Sequence, residues 1–464
     1  MSAKGVSLTT KTTEMLTKGG ILCSTRGGQC SRVGNASDDR GLIVNFDSAR
    51  VHGLAFLASL GGVDVIVVGA GPAGLMAAEV CARAGHRVMV YDQRRSPARK
   101  FVLAGRGGLN ISHSEPLDTL LARYGTEREH LEPAIRAFTP TDLQDWCAGL
   151  GHETFVGSSG RLFPVELRSV PLLRSWLRRL DSLGVTFHLG ARWTGWRNDR
   201  SFGFEIASEE MEAGFDVAFL ALGGASWPRV SSNGSWHQVL LEQGIDITPF
   251  APANCGVAIE WSEVMVDRFA GEPVKNAEVR IRDVASGEVR TRRGDPIVTD
   301  QGLEGGPIYG LSRNIRENLA LGESQINIDL FPDVALDVLT QRLAVRSDKE
   351  STARWLRRHG VAPVGASLMR EATGNKLPSD PEVMAALAKD VPLNVVGLSS
   401  IDRAISTAGG VAWGQVDDVY QLICVPNVYV VGEMLDWEAP TGGYLLQACF
   451  STAHYAATAW CSRH

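Results

Sequence analysis

The chain has 464 residues, of which 44% are hydrophobic and 21% are charged. Both fractions are close to the globular average, so they exclude a wholly disordered chain, a collagen-like chain and a polytopic membrane protein. The formal net charge is −6, from 46 basic and 52 acidic residues. We therefore expect no broad basic surface and no nucleic-acid partner.

The first 62 residues differ from the rest of the chain because they are rich in Ser, Thr and Gly and show little apolar periodicity. We predict that residues 1–62 are a disordered N-terminal extension or an upstream mis-start. A targeting peptide is the alternative, since the first thirty residues are nearly free of acid. The apolar stretch 54–78 contains Asp64 and several glycines, so we expect no membrane span.

The first folded unit that the sequence predicts is a strand, a glycine turn, a helix and a second strand. VDVIVV (63–68) is a β-branched apolar run that is typical of a strand buried on both faces. It is followed by GAGPAG (69–74), by an Ala-rich helix over 75–85 and by a strand over 87–92. In this context the G-x-G-x-x-G pattern predicts a dinucleotide-binding turn of the Rossmann type.

Each glycine of that turn has a predicted task. Gly69 permits the tight turn, Gly71 lets the backbone approach a diphosphate, and Gly74 lets the helix lie close to the strand. Asp92 would accept hydrogen bonds from ribose hydroxyls and disfavours a 2′-phosphate, which leaves NAD or FAD. The predicted cofactor-binding residues of this unit are Gly69, Gly71, Pro72, Ala73, Gly74, Asp92 and Gln93.

The middle of the chain predicts a dinucleotide domain that is interrupted. Residues 140–149 and 168–183 are typical of amphipathic helices, and 215–224 is typical of a buried strand. Short strand-like segments follow over 250–330, and charged helical segments follow over 333–392. The predicted divisions are a discontinuous cofactor domain (63–247 and 401–464), a β-rich, barrel-like insert (248–332) and a small helical insert (333–400).

The C-terminal region favours FAD over NAD. A predicted strand over 427–433 is followed by a predicted helix from about residue 443 to residue 460. Asp436 could contact the ribityl or phosphate region, and the helix N-terminus could face the charge of reduced flavin. The predicted cofactor-binding residues here are Gly432, Glu433, Asp436, Gly442, Gly443 and Tyr444. A second G-x-G-x-x-G is missing, so NAD(P)H would dock transiently, or the substrate itself would reduce the flavin.

Several motifs together resemble those of the bacterial FAD flavoproteins that include aminoacetone oxidase and the BaiN-type bile-acid reductase. They are GAGPAGLMAA (69–78), RKFVLAGRGGLNISH (99–113), GRLFP (160–164), LALGGASWP (220–228), GLEGGP (302–307), TAGGV (407–411) and VGEMLDWEAPTGGYLLQACFSTA (431–453). The resemblance implies non-covalent FAD and an α/β fold with a Rossmann-type FAD-binding domain and two inserts. Gly108-Leu109 replaces the usual Arg-Cys pair, which indicates a distinct subfamily.

The 99–113 segment predicts a cationic, glycine-rich loop beside the flavin. Such a loop would raise the reduction potential by stabilising the anionic reduced flavin. An ordinary glycine turn with solvated cations is the alternative. The predicted cofactor-binding residues are Lys100, Gly105, Arg106, Gly107 and Gly108, together with Gly223 after the 215–224 strand.

Catalytic residues are not determined by the sequence, and the candidates are His113, Arg161 and Tyr444. His113 could move a proton near the flavin ring or be satisfied locally. Arg161 could clamp a substrate carboxylate or form a plain salt bridge. Tyr444 could contact flavin or substrate through its side chain.

The eight cysteines include no C-x-x-C pair, and the ten histidines include no H-E-x-x-H motif. We therefore expect neither a metal site nor a disulfide scaffold, and a cytoplasmic location.

The leading hypothesis is an FAD-dependent oxidoreductase that transfers a hydride through flavin N5 and reduces a small organic substrate with NAD(P)H. One alternative is an oxidase of a small amine that produces hydrogen peroxide. A tRNA-modifying flavoprotein and a non-catalytic flavin redox sensor are hypotheses of a different class. The sequence leaves the substrate, the electron donor and the oligomeric state open.

Overall fold

The computed structural model describes residues 63–103, 108–230, 232–322, 324–347 and 349–464. The predicted extension, 1–62, lies outside the described residues. The predicted first unit is confirmed, with strand β1 (Asp64–Val68), helix α1 (Pro72–Arg83) and strand β2 (Arg87–Asp92). The helix begins at Pro72, earlier than expected, because the fixed φ of proline suits the first helical position.

The next part of the chain is mostly helical and returns to the sheet at its end. Its elements are α2 (Arg99–Val102), β3 (Ser112–His113), α3 (Leu117–Ala122), α4 (Arg128–Ala137), α5 (Pro140–Gly149), β4 (Thr154–Val156), β5 (Arg161–Pro164), α6 (Ser169–Ser182) and β6 (Thr186–Leu189). The predicted helices over 140–149 and 168–183 are confirmed as α5 and α6. The short strands form an antiparallel sheet in the order β3-β5-β4.

An antiparallel meander follows and leads back into the main sheet. The elements are β7 (Ala191–Asn198), β8 (Ser201–Ile206), β9 (Glu209–Gly214), β10 (Val217–Leu220), α7 (Trp236–Glu242) and β11 (Ile247–Ala253). The predicted buried strand over 215–224 is confirmed as β10, whose side chains are all buried.

The segment from 257 to 398 combines antiparallel sheets with helices. Its elements are β12 (Val257–Ala258), α8 (Glu263–Phe269), β13 (Ala277–Arg282), β14 (Val289–Gly294), β15 (Ile297–Val298), β16 (Gly302–Glu304), α9 (Gly306–Tyr309), α10 (Ser312–Ala320), β17 (Ser324–Asp329), α11 (Leu336–Leu343), α12 (Thr352–Arg358), α13 (Pro363–Ala372), α14 (Pro381–Lys389), β18 (Val391–Val395) and β19 (Gly397–Leu398). The sheets run in the orders β14-β13-β17-β18 and β15-β16-β12-β19. Strands that follow the helices therefore complete sheets that begin before them.

The chain ends by returning to the parallel sheet. Its last elements are β20 (Ser406–Val411), β21 (Val428–Val430) and α15 (Tyr444–Cys461), as the sequence predicts for the final strand and helix. The parallel sheet has the order β21-β10-β1-β2-β6. Because the carboxyl ends of parallel strands meet at one edge, the turns after β1, β2, β10 and β21 lie together there.

Among the described residues, the buried apolar side chains form two cores. The first core contains residues between Val65 and Ile245 and between Val411 and Trp460. The second core contains residues between Val257 and Val395, and its sheets and helices share it. The first core thus brings together two stretches of chain that are separated in sequence by the residues of the second core.

The predicted fold class, an interrupted Rossmann-type α/β fold, is confirmed. The predicted domain boundaries stay predictions. In the described part of the chain, the length and hydropathy of each helix fall short of what a transmembrane segment needs.

Candidate functional site

The glycine turn after β1 is shaped by close backbone approaches. Gly69 has φ +105°, and a Cβ there would lie 2.3 Å from the carbonyl oxygen of Ala221. A Cβ on Gly74 would lie 1.9 Å from the carbonyl oxygen of Gly69. Both positions therefore require glycine for packing alone.

Gly71 differs from these two glycines because no atom lies within 4 Å of the position that a Cβ would take. It is the N-cap of α1, and Pro72 and Ala73 begin the helix. The open side of Gly71 belongs to the cleft at the carboxyl edge of the sheet. A diphosphate could thus approach both the backbone and the positive end of the helix dipole.

Asp92 braces this turn from the end of β2. Its Oδ2 accepts a hydrogen bond from the Ala70 amide at 2.7 Å, and its Oδ1 accepts one from the Arg94 amide at 2.7 Å. Burial raises the pKa of Asp92, and these hydrogen bonds and the charge of Arg94 act in the opposite direction. The carboxylate can still accept hydroxyl hydrogen bonds, because each oxygen has a second lone pair.

The cleft has a volume of ≈ 110 Å³ and is lined in part by the glycine turn. The predicted cofactor residues that line it are Gly69, Gly71, Pro72, Ala73, Asp92, Gln93, Lys100, Gly223 and Glu433. The sequence-predicted residues from both ends of the chain are therefore brought together.

A larger cavity of ≈ 320 Å³ lies next to the cleft, and Gln93, Leu222 and Ser232 line both. The cavity is also lined by Trp193 and Thr194. The Trp193 indole nitrogen and the Thr194 hydroxyl are buried and have no hydrogen-bond partner among the described residues. A cavity with unsatisfied polar groups is suited to a ligand that carries hydrogen-bonding atoms.

Lys100 and Glu433 form an ion pair across the cleft. The Lys100 Nζ lies 3.1 Å from Glu433 Oε2 and donates to the Ser226 hydroxyl at 2.7 Å. The Thr407 amide donates to Glu433 Oε1 at 3.1 Å, and the Thr407 hydroxyl accepts hydrogen bonds from the Ala225 and Ser226 amides. The positive charge expected from Lys100 is thus offset by Glu433.

Residue-level prediction missed Ser226 and Thr407. Both lie in motifs that the sequence singled out, LALGGASWP and TAGGV, but no local spacing reveals that a lysine and a glutamate converge on them.

Asp436, the other predicted acid, is placed differently. Its Oδ2 accepts a hydrogen bond from the Thr248 hydroxyl of β11 at 2.6 Å. Burial raises the pKa of Asp436, while the Thr248 hydrogen bond acts in the opposite direction. Asp436 is not part of the cleft lining, so of the two predicted acids near the C-terminus it is Glu433 that faces the cleft.

The last helix begins against strand β3. Gly443, its N-cap, has φ +95°, and a Cβ there would lie 2.5 Å from the carbonyl oxygen of Ser112. Gly442 precedes it, and Gly432 packs against Ala73 of α1. Gly443 therefore joins the N-terminus of α15 to β3.

His113 and Tyr444 form a stacked pair beside this helix start, with ring centroids 5.4 Å apart and planes at 17°. The Nδ1 of His113 accepts the Glu115 amide at 3.2 Å, so the protonated Nε2 donates to the carbonyl oxygen of Ser159 at 3.0 Å. Both ring nitrogens thus bind backbone groups, which favours the structural role for His113 over proton transfer.

The Tyr444 hydroxyl donates to Glu115 Oε1 at 2.7 Å, and Arg123 donates to both oxygens of the same carboxylate. Burial, followed by the interaction with Glu115, raises the pKa of Tyr444 far above the neutral range. Tyr444 is therefore a protonated, anchored phenol. Sequence reasoning missed Glu115 and Arg123, because nothing in their spacing connects them with Tyr444.

The structure describes some of the remaining predicted site residues but not all of them. Arg161 is exposed on β5, directly across the strand pair from His113. Gly108 follows the predicted loop and packs against Leu167. The predicted cofactor residues Gly105, Arg106 and Gly107 lie outside the described residues.

Comparison with known proteins places this arrangement among flavoenzymes. The family model described as the HI0933-like protein Rossmann domain matches residues 63–459. A 3-dehydro-bile acid delta(4,6)-reductase from Clostridium scindens is 23% identical over 413 residues, which cover 86% of this chain and 98% of the relative. A ribosomal RNA dihydrouridine synthase from Escherichia coli is 23% identical over 411 residues, which cover 84% of this chain and 96% of the relative.

Among solved structures, 3-ketosteroid delta1-dehydrogenase from Sterolibacterium denitrificans is similar to this chain. The TM-score is 0.49 and the sequence identity is 11%, over 87% of this chain and 100% of that one.

Proposed function

The chain belongs to the HI0933-like Rossmann-domain family and is an FAD-dependent oxidoreductase, and from this premise we propose that it is an NAD(P)H-dependent reductase. Its substrate would be a small organic molecule with a carbon–carbon double bond conjugated to a carbonyl group. Both curated relatives are named for activities that saturate such a bond, in a bile acid and in uridine. That shared chemistry is the observation that carries the proposal.

The cleft and the adjacent cavity support this proposal, because their lining residues could hold successive parts of FAD. In our proposal the adenosine end occupies the ≈ 320 Å³ cavity beside Gln93, where buried polar groups lack partners. Gly71 and the N-terminus of α1 would hold the diphosphate. Glu433 and Lys100 in the cleft would contact the ribityl chain. Bound FAD would supply the two-electron hydride carrier.

The chain's own residues would orient the cofactor and stabilise its charge. The N-terminus of α15 at Gly443 would offer the positive end of a helix dipole to the flavin ring. The Lys100–Glu433 pair keeps the local charge near neutral. The stacked His113–Tyr444 pair would position the helix start, with Glu115 bound to Tyr444.

The direction of the reaction is tested by anaerobic spectroscopy of the holoenzyme. We expect NADPH or NADH to bleach the visible absorbance of the flavin, and a conjugated enone to restore it without oxygen. Rapid bleaching by small amines, with hydrogen peroxide formed in air, would instead establish the oxidase. Bound FAD that is not reduced by nicotinamides or amines would favour a redox sensor.

The similarity to a ribosomal RNA dihydrouridine synthase supports a second candidate, an RNA-modifying reductase. The net charge of −6 argues against a broad basic surface that would bind RNA. Dihydrouridine formed in an rRNA transcript by the holoenzyme and NADPH would favour this candidate, and the same assay with free enones would decide between the two.

A further inference from the structure

Two cysteines from distant parts of the chain meet where α1 and α15 end. Cys81 lies in the last turn of α1, and Cys461 is the last residue of α15. Their Sγ atoms lie 4.0 Å apart, within hydrogen-bond distance for sulfur, and both thiols are free. The two residues are 380 positions apart in the sequence, so only the tertiary fold brings them together.

The contact between the thiols follows from the small side chains that lie between the two helices. The buried residues of α1 include a helical repeat of small side chains, Gly74, Ala77, Ala78 and Cys81. Those of α15 include Ala453, Ala456 and Ala457. The two helices pack against each other, and small side chains let them approach closely. The cysteine at the end of the α1 repeat can therefore contact the partner helix.

The backbones on both sides of the thiol pair are held by further contacts. His86 follows α1, and its amide donates to the carbonyl oxygen of Cys81 at 3.2 Å. The His86 ring packs on Trp460, the residue before Cys461, with ring centroids 4.6 Å apart. The Trp460 side chain is itself buried. The ends of α1 and α15 are thus fixed next to each other.

The positions of the two sulfurs allow a bond between them. The sulfurs of a disulfide lie about 2.05 Å apart. Starting from 4.0 Å, each sulfur has to move by about 1 Å. Rotation about the Cα–Cβ bonds of Cys81 and Cys461 can supply a movement of this size.

The two thiols differ in exposure and in acidity. Cys81 is fully buried, whereas Cys461 is partly exposed and is followed by the exposed residues Ser462 and Arg463. Burial raises the pKa of the Cys81 thiol well above its ordinary value. The hydrogen bond from Cys81 lowers the pKa of the Cys461 thiol, against the effect of burial. Cys461 is therefore the thiol that a small oxidant reaches and the one that is more readily deprotonated.

We propose that Cys81 and Cys461 form a reversible disulfide when the protein is exposed to hydrogen peroxide, and that this bond cross-links the ends of α1 and α15. The Cys461 thiolate attacks the peroxide, the O–O bond breaks, and a sulfenic acid and hydroxide are formed. Cys81 then loses its proton, and its sulfur attacks the Cys461 sulfur, where the S–O bond breaks and hydroxide leaves. Overall, two thiols lose two electrons and two protons, and hydrogen peroxide becomes two water molecules.

This inference goes beyond the proposed function, because neither NAD(P)H nor an organic substrate takes part. The cross-link would enclose the whole second core, which lies between Val257 and Val395. Closing so long a loop restricts the unfolded chain and thereby stabilises the folded one. We therefore expect the oxidised protein to resist unfolding better than the reduced protein.

The test uses the full-length, FAD-loaded protein, which is treated with hydrogen peroxide, alkylated and digested without reductant. Trypsin would leave Cys449 and Cys461 on one peptide, because no Lys or Arg lies between them. Chymotrypsin is used instead, since it also cuts after Phe450. Mass spectrometry should find the peptides of Cys81 and Cys461 joined, and dithiothreitol should separate them. Failure to find this pair, or Cys461 recovered only as a sulfinic acid, would overturn the proposal.

Variants show whether the reaction belongs to this pair. Cys461→Ser and Cys81→Ala should lose the joined peptides completely. Cys424→Ser is the matched control, because it removes an exposed thiol and should leave the joined peptides at the wild-type yield. Circular dichroism checks the fold of each variant. If Cys81→Ala does not fold, Cys461→Ser, at a partly exposed helix end, gives the same comparison.

Urea unfolding measures the effect of the cross-link. The unfolding midpoint of the peroxide-treated wild-type protein should be higher than that of the same sample after dithiothreitol. Cys461→Ser should show no such difference. An unchanged midpoint in protein that mass spectrometry shows to be joined would overturn the stabilising role of the bond.

Discussion

At the scale of single residues, Gly71 is the glycine of the G-x-G-x-x-G turn at which the fold itself makes no demand on the side chain. Its φ is −78°, and no atom would contact a Cβ. Glycine is therefore explained at this position by what would bind there. The neighbouring glycines, in contrast, are fixed by backbone contacts within the protein.

We expect Gly71→Val to fold normally and to lose FAD, because the valine side chain would occupy the space of the diphosphate. The affinity should fall about 100-fold, or ~2.7 kcal/mol. The ratio of flavin to protein absorbance after gel filtration, and the Kd for added FAD, measure this loss. Gly414→Val is the matched control, since Gly414 is also free of contacts but lies outside the cleft. Normal FAD retention in Gly71→Val would disprove the assignment of the phosphate turn.

The Lys100–Glu433 pair predicts an effect on the flavin potential. Glu433→Gln removes a negative charge but keeps an acceptor for Thr407, so the anionic reduced flavin should be stabilised. We expect the midpoint potential to rise by about 30–60 mV, which corresponds to ~1.4–2.8 kcal/mol for two electrons. Lys100→Met should shift the potential in the opposite direction.

Asp436→Asn is the control for this measurement, because its carboxylate binds Thr248 away from the cleft. Potentials are measured by redox dye equilibration. Equal shifts in the Asp436 and Glu433 variants would mean that the cleft does not hold the flavin as proposed.

At the scale of elements, the sequence predicts what is local. The Ala70–Asp92 hydrogen bond lies within one strand–helix–strand unit, and its parts are recognisable from adjacent periodicities. The Lys100–Glu433 pair joins residues 333 positions apart, so it depends on β10 lying between the first strand, β1, and the last, β21, in the sheet. The choice of Glu433 over Asp436 could not be predicted, because both acids lie in one short segment and differ only in their tertiary partners.

The link between β3, α3 and α15 through Glu115 predicts a pH-dependent contribution to stability. Desolvation acts to raise the pKa of Glu115, but the hydrogen bonds from Arg123 and Tyr444 outweigh it and lower the pKa below the ordinary 4.5. The carboxylate therefore stabilises the fold fully above about pH 4.5, and this contribution is lost as the pH falls through the lower folded-state value.

We expect Glu115→Gln to lower the free energy of unfolding by about 1–3 kcal/mol at pH 7. The difference from wild type should shrink as the pH falls below 4.5. Urea unfolding at several pH values measures it, with Glu129→Gln, on the exposed surface of α4, as the control. A difference that stays constant down to pH 3 would contradict the assignment.

At the scale of the whole molecule, polar contacts join the two cores in the part of the chain that the structure describes. Arg316 of α10 binds Glu438, which lies beside the buried Trp437 of the first core. Asn254 also donates to the carbonyl oxygen of Ala439 at 2.7 Å. If one core is stabilised, such an ion pair or hydrogen bond can stabilise the other core only while both of its partners are present.

In the proposed site FAD would bind in the cleft that borders the first core, so its binding should protect that core by about 2.7 kcal/mol at 100 times the Kd. In the wild-type protein we expect hydrogen exchange to slow in the second core as well, through the Arg316–Glu438 pair. Arg316→Gln should retain the protection of β1 and β10 but lose most of the FAD-dependent protection of β13 and β17. Arg293→Gln removes an exposed ion pair on the surface beside the second core. This variant should keep the FAD-dependent protection of β13 and β17. Unchanged protection of β13 in Arg316→Gln would mean that the cores communicate by another route, because Arg313 also binds Glu438 and Glu127.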